Sequence, residues 1–409
     1  MSRSFVNKSI KELPPSGIRK FFDLASSMQG VISLGVGEPD FVTPWHIREA
    51  SVYSLEKGYT NYTPNSGLEE LRKKISAYLG LKFRLEYDYT REIIVTVGAS
   101  EAIDIALRAV LEPGDEVIIP EPCFVSYKPC TLMAGGVAKV ISTREADQFK
   151  LMPADLEKAI TPQTKALLFS YPNNPTGTVM TEKELLAIAR VVEKYDLLVI
   201  TDEIYSELTY DGGHVSFASL PGMKKRTILI NGFSKAFAMT GWRIGYTAAP
   251  EEITAAMLKI HQYTIMCASV MGQMAAVEAL KNGAAEVKRM VDQYDQRRHL
   301  IVNGLNQIGL PCFTPKGAFY VFPSIRSTGM TSQEFCAALL QEEKVAVVPG
   351  DAFGACGEGY IRCSYAASIE DITEALNRME RFVRRHTGKA ICQEPDDLNL
   401  PAGRGSLRA

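Results

Sequence analysis

Residues 227–246 read TILINGFSKAFAMTGWRIGY. The run from Thr227 to Ile230 is apolar on both alternating faces and passes directly into a small, polar segment carrying Lys235. A run this short and unalternating predicts a strand covered on both sides, as in a parallel sheet. Four runs upstream share the pattern: Ile93 to Val97, Val117 to Ile119, Ala166 to Phe169 and Leu197 to Ile200. Each is followed at once by an unusual segment, in order GAS, PEPCF, SYPNNPTG and TDEIY, with NGFSK the fifth.

Helical patterns lie between most of these runs. Glu101 to Val110 is closed by the turn Pro113 to Asp115, and Thr181 to Lys194 opens with Thr181 and Glu184 spaced as a capping box. Alternating strands and helices predict an α/β large domain with a mostly parallel central sheet covered by helices. In such sheets ligands gather beyond the carboxyl ends of the strands, where the five segments fall. From Gly283 to Leu310 an amphipathic helix is expected, with Val287, Met290, Val291, Tyr294, Ile301 and Leu305 on its apolar side. Cys312 to His386 mixes short strands (AFYVF, VAVVP, YIRCSY) with helices such as Ile369 to Arg385, as in a small α+β domain.

A chain of 409 residues exceeds one ordinary core, so two unequal domains are expected. The boundaries read as an N-terminal arm with part of the small domain (1–45), a large domain (46–285), a small C-terminal domain (286–387) and a loose tail (388–409). Hydrophobic residues at 46% and charged residues at 22% are those of a globular protein. Lys plus Arg (45) against Asp plus Glu (47) leaves a formal charge of −2, which gives no field for a polyanion and argues against nucleic acid. The eight cysteines include no CxxC pair and the five histidines lack ligand spacing, so no metal is expected and the cysteines read as reduced, in a cytoplasmic chain. Arg3, Lys8 and Lys11 faintly suggest a transit peptide, against which Pro14 and Pro15 argue; no apolar stretch is long enough to span a bilayer.

Lys235 follows a buried strand directly, and desolvation there lowers an amine's pKa toward the neutral form that attacks carbonyls. Asp202 ends the strand LLVIT at the same edge, and Tyr205 follows three residues later. A carboxylate against a pyridine nitrogen would make the ring an electron sink. Arg243 in GWR is a candidate phosphate or carboxylate grip, Asn174 sits in the turn-rich YPNNPTG, and Gly98, Ala99 and Ser100 open a helix whose free amides suit a phosphate. Phe124 in PEPCF is placed to stack on a ring, and Arg362 in YIRCSY to hold a carboxylate. Taken singly, each has an ordinary reading: a solvated lysine, a turn-capping acid, a surface ion pair, a core aromatic. Their convergence on one predicted sheet edge, or facing it from the second domain, is what singles them out.

In the order GxGEPD, NPTG, DEIY, SKAFxMTGWRIGY and RxSYA the chain resembles the class I and II aminotransferases of the fold-type I pyridoxal phosphate enzymes, from about Ile10 to about Arg385. It is most similar to the branch with prokaryotic aspartate and aromatic aminotransferases. The resemblance implies that Lys235 carries the cofactor as a Schiff base and moves a proton between substrate Cα and cofactor. It implies that Asp202 pairs with the pyridine nitrogen, that Tyr205 and Asn174 bond the phenolic oxygen, and that Phe124 stacks on the ring. Arg243 with Gly98, Ala99, Ser100 and Ser234 would hold the phosphate. Tyr62 in NYTPNSG matches a tyrosine that reaches a neighbouring subunit's phosphate, which implies a homodimer. Arg362 would bind the substrate carboxylate, with Gly37 closing over it. Many relatives carry a phosphate-binding serine where this chain has Gly232, and Ser234 is the candidate substitute.

The implied reaction is a ping-pong exchange of an amino group between an L-amino acid and a 2-oxo acid. Relatives on this scaffold also catalyse β-elimination, as in C–S lyases, so that alternative stands beside it. A transcription factor with an aminotransferase-like domain is disfavoured, because GxGEPD begins at Gly35 and leaves no room for a DNA-binding domain before it. The amino donor, aspartate, aromatic or other, is open at this level.

Overall fold

The computed structural model describes residues 5–7, 10–11, 13 and 28–387; the pair Pro14–Pro15 and the tail from Gly388 lie outside the described residues. After a short strand β1 (Ile32–Ser33) come seven strands of one sheet: β2 (Ile93–Thr96), β3 (Glu116–Glu121), β4 (Val137–Ser142), β5 (Thr164–Phe169), β6 (Leu198–Asp202), β7 (Thr227–Gly232) and β8 (Gly245–Ala248). Their order is β2-β8-β7-β6-β5-β3-β4. Every pairing is parallel except those of β8, which runs antiparallel to both β2 and β7.

The five apolar runs are strands because each sends side chains to two covered faces. Leu168, Ile200, Ile228 and Ile230 pack on one face with Ile103, Leu107 and Met257, from the helices Gly98–Val110 and Glu251–Thr264. Leu167, Phe169 and Val199 pack on the other, with Leu156, Leu185 and Val192 from Pro153–Ala159 and Glu182–Lys194. The capping box at Thr181 and Glu184 is formed. Two strands lacked a legible pattern: β8 opens on glycine, and β4 carries the exposed Val137 at an edge. Val97, read as strand, instead precedes the helix that starts at Gly98, three residues earlier than expected.

The long helix runs Ala284–Gln307, with Val287, Met290, Tyr294, Ile301 and Leu305 buried, and Val291 partly so. Beyond it β9 (Tyr320–Val321), β10 (Val345–Ala346), β11 (Val348–Pro349) and β12 (Ile361–Ser364) appear; β11, β12 and β9 form an antiparallel sheet, while β1 pairs parallel with β10. VAVVP is therefore two strands with Val347 between them. The helices Ser332–Glu343 and Ile369–Thr387 close this core with Phe335, Leu339, Ile372, Met379 and Phe382.

Thr96, Asp202 and Gly232 end their strands at the same edge of the sheet, and the loop 170–177 leaves β5 there. That loop touches the C-terminal part through Gly177, whose φ is +71°. A Cβ there would stand 2.4 Å from Pro315 Cβ and 2.8 Å from the Tyr320 carbonyl oxygen. Gly177→Ala is expected to cost about 2 kcal/mol or more, from the unfavourable φ and the displaced loop. Urea unfolding checks this, and an unchanged midpoint contradicts it.

Candidate active site

A cavity of about 440 Å³ lies over the carboxyl edge of the sheet. Lys235 reaches it three residues beyond the end of β7, its Nζ donating to the Gly37 carbonyl at 2.6 Å and standing 5.8 Å from the ring centres of both Tyr205 and Phe319. Burial pulls its pKa down to about 8, with Arg362 and Arg243 acting in the same direction and Glu38 against it.

Asp202, the last residue of β6, is 4% exposed. Its Oδ2 accepts from the Tyr127 hydroxyl at 2.8 Å and its Oδ1 from the Ile204 amide at 3.1 Å. Burial pushes the carboxyl up to about 6 against the opposing pull of these two bonds. A carboxylate accepts about four hydrogen bonds, so capacity remains toward the cavity.

Asn174 is fixed within its loop, where Asn173 accepts from the Thr176 amide and hydroxyl, and its Oδ1 accepts from an Arg362 guanidinium nitrogen at 2.9 Å. Arg362, on β12, is 2% exposed and also donates to the Gly35 carbonyl at 2.5 Å; its Nε is buried with no hydrogen-bond partner. Arg362 also lines the cavity, and a guanidinium carries five N–H donors, so donors remain beyond the bonds to Asn174 and Gly35 for an anionic acceptor.

The helix Gly98–Val110 presents Ala99 and Ser100 to the cavity. Gly98 has φ +74°, and a Cβ there would stand 2.5 Å from an Arg243 guanidinium nitrogen. The glycine thus lets the helix start and the arginine come together, and helix-start amides beside a guanidinium make an anion cradle. Ser234 lines the same cavity, whereas Gly232 does not. A Cβ at Gly232 would meet the Gly245 Cα at 2.9 Å and the Ile244 carbonyl oxygen at 3.0 Å, so the pairing with β8 leaves no room for a serine there as the chain is packed.

Gly37, Ala99, Ser100, Phe124, Asn174, Asp202, Tyr205, Ser234, Lys235, Arg243 and Arg362 therefore share one cavity, with Gly98 behind Arg243. Tyr62 does not join them: it is 80% exposed and does not line the cavity. Reading the sequence missed Tyr127, Tyr320, Glu38 and Thr240, which also line it. Tyr127 follows the predicted Phe124 by three residues and Glu38 sits inside GEPD; Tyr320, in the apolar AFYVF, carried no signal beyond core packing.

A nucleophilic amine, a buried carboxylate with spare acceptor capacity, an anion cradle and a buried guanidinium with donors to spare match a phosphorylated pyridine aldehyde and an amino acid. Such a site on such a sheet is that of a fold-type I pyridoxal phosphate transferase. The family model for aminotransferase class I and II matches residues 29–379, and the chain belongs to that family, as a pyridoxal phosphate-dependent aminotransferase. An aspartate aminotransferase of Pyrococcus abyssi is 49% identical, over 90% of this chain and 96% of its own length. An aromatic-amino-acid aminotransferase of Thermococcus litoralis is 46% identical, over 90% and 96%. The crystal structure of an aromatic aminotransferase from Pyrococcus horikoshii covers 90% of this chain and 99% of its own, with TM-score 0.86 and 48% identity. Among the described residues no helix is long and apolar enough to cross a membrane, and no cluster of potential metal ligands is present.

Proposed function

We propose that the chain moves the amino group of an aromatic L-amino acid to a 2-oxo acid by a ping-pong cycle. The observation that carries the donor class is the charge inventory of the cavity. Among the described residues its cations are Lys235, Arg243 and Arg362, and on this reading all three are committed. The carboxylate of Glu38 also lines the cavity and disfavours a second substrate carboxylate there, which leaves an aromatic side chain as the better fit.

When bound, the cofactor supplies an aldehyde for the amine and a protonated pyridine that draws electrons. Lys235 would hold it covalently at rest and, as a free amine, would take the Cα proton of the substrate and return it. Asp202 would keep the ring nitrogen protonated, with Tyr127 and the Ile204 amide fixing the carboxylate plane. Tyr205 and Asn174 would bond the phenolic oxygen, Phe124 would cover the ring, and Arg243 with Gly98, Ala99, Ser100 and Ser234 would bind the phosphate. Arg362 would take the α-carboxylate through guanidinium donors that face the substrate, with Gly37 closing over it.

On the same reading the protein is a cytoplasmic homodimer with shared sites, divided at about residues 46, 286 and 388. Trp45, Tyr53, Tyr62 and Tyr263 are each at least 50% exposed, which supports an apolar surface destined for a second copy and the placement of Tyr62 in the neighbour's site.

The test is a panel of amino donors with 2-oxoglutarate. Tyrosine or phenylalanine is expected to exceed aspartate by about tenfold or more in kcat/KM, and the reverse order overturns the donor assignment. Ammonia release from one amino acid without any 2-oxo acid would point to β-elimination instead.

A further inference from the structure

The hydroxyls of Tyr205 and Tyr320 lie 2.8 Å apart in a buried contact, their rings nearly perpendicular at 77°. The Arg362 guanidinium carbon stands 4.5 Å from the centre of the Tyr320 ring. On its third side the Tyr320 hydroxyl would be 2.7 Å from a Cβ at Gly37, so only a residue without a side chain fits opposite it. Tyr320 belongs to the two-residue strand β9, which pairs with β12, the strand of Arg362. One side chain thus touches the phenol beside the lysine, the carboxylate clamp and the segment that covers both.

We propose that Tyr320 is a positioning residue, whose hydroxyl donates to Tyr205 and thereby frees and strengthens the Tyr205 proton for the cofactor's phenolic oxygen, while its ring holds the Arg362 guanidinium. This rests on the aminotransferase reading of the site. The direction of donation follows from the chemistry. A Tyr205 that spent its single proton on Tyr320 would have none for the ring, and chained hydroxyls polarise one another in the same sense. Burial raises both phenols and the Arg362 cation opposes the rise on both; it is the leading opposing influence on Tyr320, while Tyr205 is raised further by Tyr320 itself. Tyr320, the less raised of the two phenols and the one whose ring lies against the cation, is the better donor.

The test is a pH titration of the visible band of the cofactor-loaded protein. A weaker bond to the phenolate makes the adjacent imine nitrogen harder to deprotonate, so Tyr320→Phe is expected to move the midpoint up by roughly half to one pH unit. Tyr205→Phe moves it further, and the double variant matches Tyr205→Phe alone, because Tyr320 acts through Tyr205. Tyr320→Phe keeps the ring under Arg362, so KM for the amino donor stays within about twofold; Tyr320→Leu removes it and raises KM by roughly tenfold. A band that titrates as in the wild type in folded Tyr320→Phe, or shifts that add in the double variant, overturns the proposal. If Tyr320→Phe folds poorly, a fluorinated tyrosine at 320 keeps the shape with a more acidic hydroxyl and must lower the midpoint; no movement there is equally fatal. A wild type without any visible band sinks the underlying reading instead.

Discussion

Lys235→Ala is expected to lower kcat by at least ~10⁴-fold while leaving cofactor affinity measurable. On the proposed mechanism the loss combines the covalent anchor with the only amine that the cavity offers, among the described residues, for moving the substrate proton. Asp202, Arg243 and the helix start at Gly98 are untouched by the change, so the cofactor still binds, now as a free aldehyde with an altered absorption band. Lys235→Arg keeps a cation of similar reach but no nucleophile, and should be as inactive as alanine. A variant that retains a tenth of wild-type turnover would remove Lys235 from the mechanism. The wild type carries its own control: with the amine's pKa drawn down to about 8, the rate at which cofactor-free protein captures the aldehyde should rise about tenfold per pH unit below 8 and level off above it. An ordinary exposed lysine would keep climbing toward pH 10.

What made Lys235 legible was the contrast between TILI and NGFSK, since strand end and chemistry coincide in one stretch. The same contrast located Asp202 after LLVIT and Asn174 after ALLF. It failed for the two tyrosines whose hydroxyls meet Asp202 and Tyr205. Tyr127 begins a seven-residue helix, and Tyr320 stands between Phe319 and Val321 in a two-residue strand. In sequence both are indistinguishable from core aromatics, and both are indeed buried; only the partner of the hydroxyl, Asp202 in one case and Tyr205 in the other, separates them. Gly232 failed differently. As a missing serine it looked like a gap in the phosphate cup, and the explanation lies in β8, a strand beginning with glycine that no hydrophobic pattern marks. Packing against Gly245 requires the glycine, and Ser234 is the residue that faces the cavity. Tyr62 marks the reverse limit: its motif is legible, but in the single chain it is 80% exposed and does not line the cavity.

Asp202→Asn is expected to reduce kcat on the order of 10³-fold and, in the same protein, to stabilise the cofactor-free form. The first effect follows because asparagine fills the volume but carries no charge to keep the pyridine nitrogen protonated, and breaking a buried ion pair costs about 3–5 kcal/mol. The second follows from the pKa near 6, set mainly by burial of the carboxyl between Tyr127 and the Ile204 amide. A carboxyl whose pKa is higher folded than unfolded binds more protons in the native state, so stability falls as pH rises from about 4 to about 6 and stays reduced above. At pH 7 the ionised carboxylate is therefore a net cost of up to about 3 kcal/mol in the absence of the cofactor, and asparagine is free of it. The melting temperature of cofactor-free Asp202→Asn should exceed that of the wild type at pH 7, the difference closing as pH is lowered through 6 toward 4. Saturating cofactor should reverse the order, because only the wild-type carboxylate gains a buried cationic partner on binding. A carboxylate that served only to brace Tyr127 would give the opposite sign in the cofactor-free protein, with asparagine the less stable.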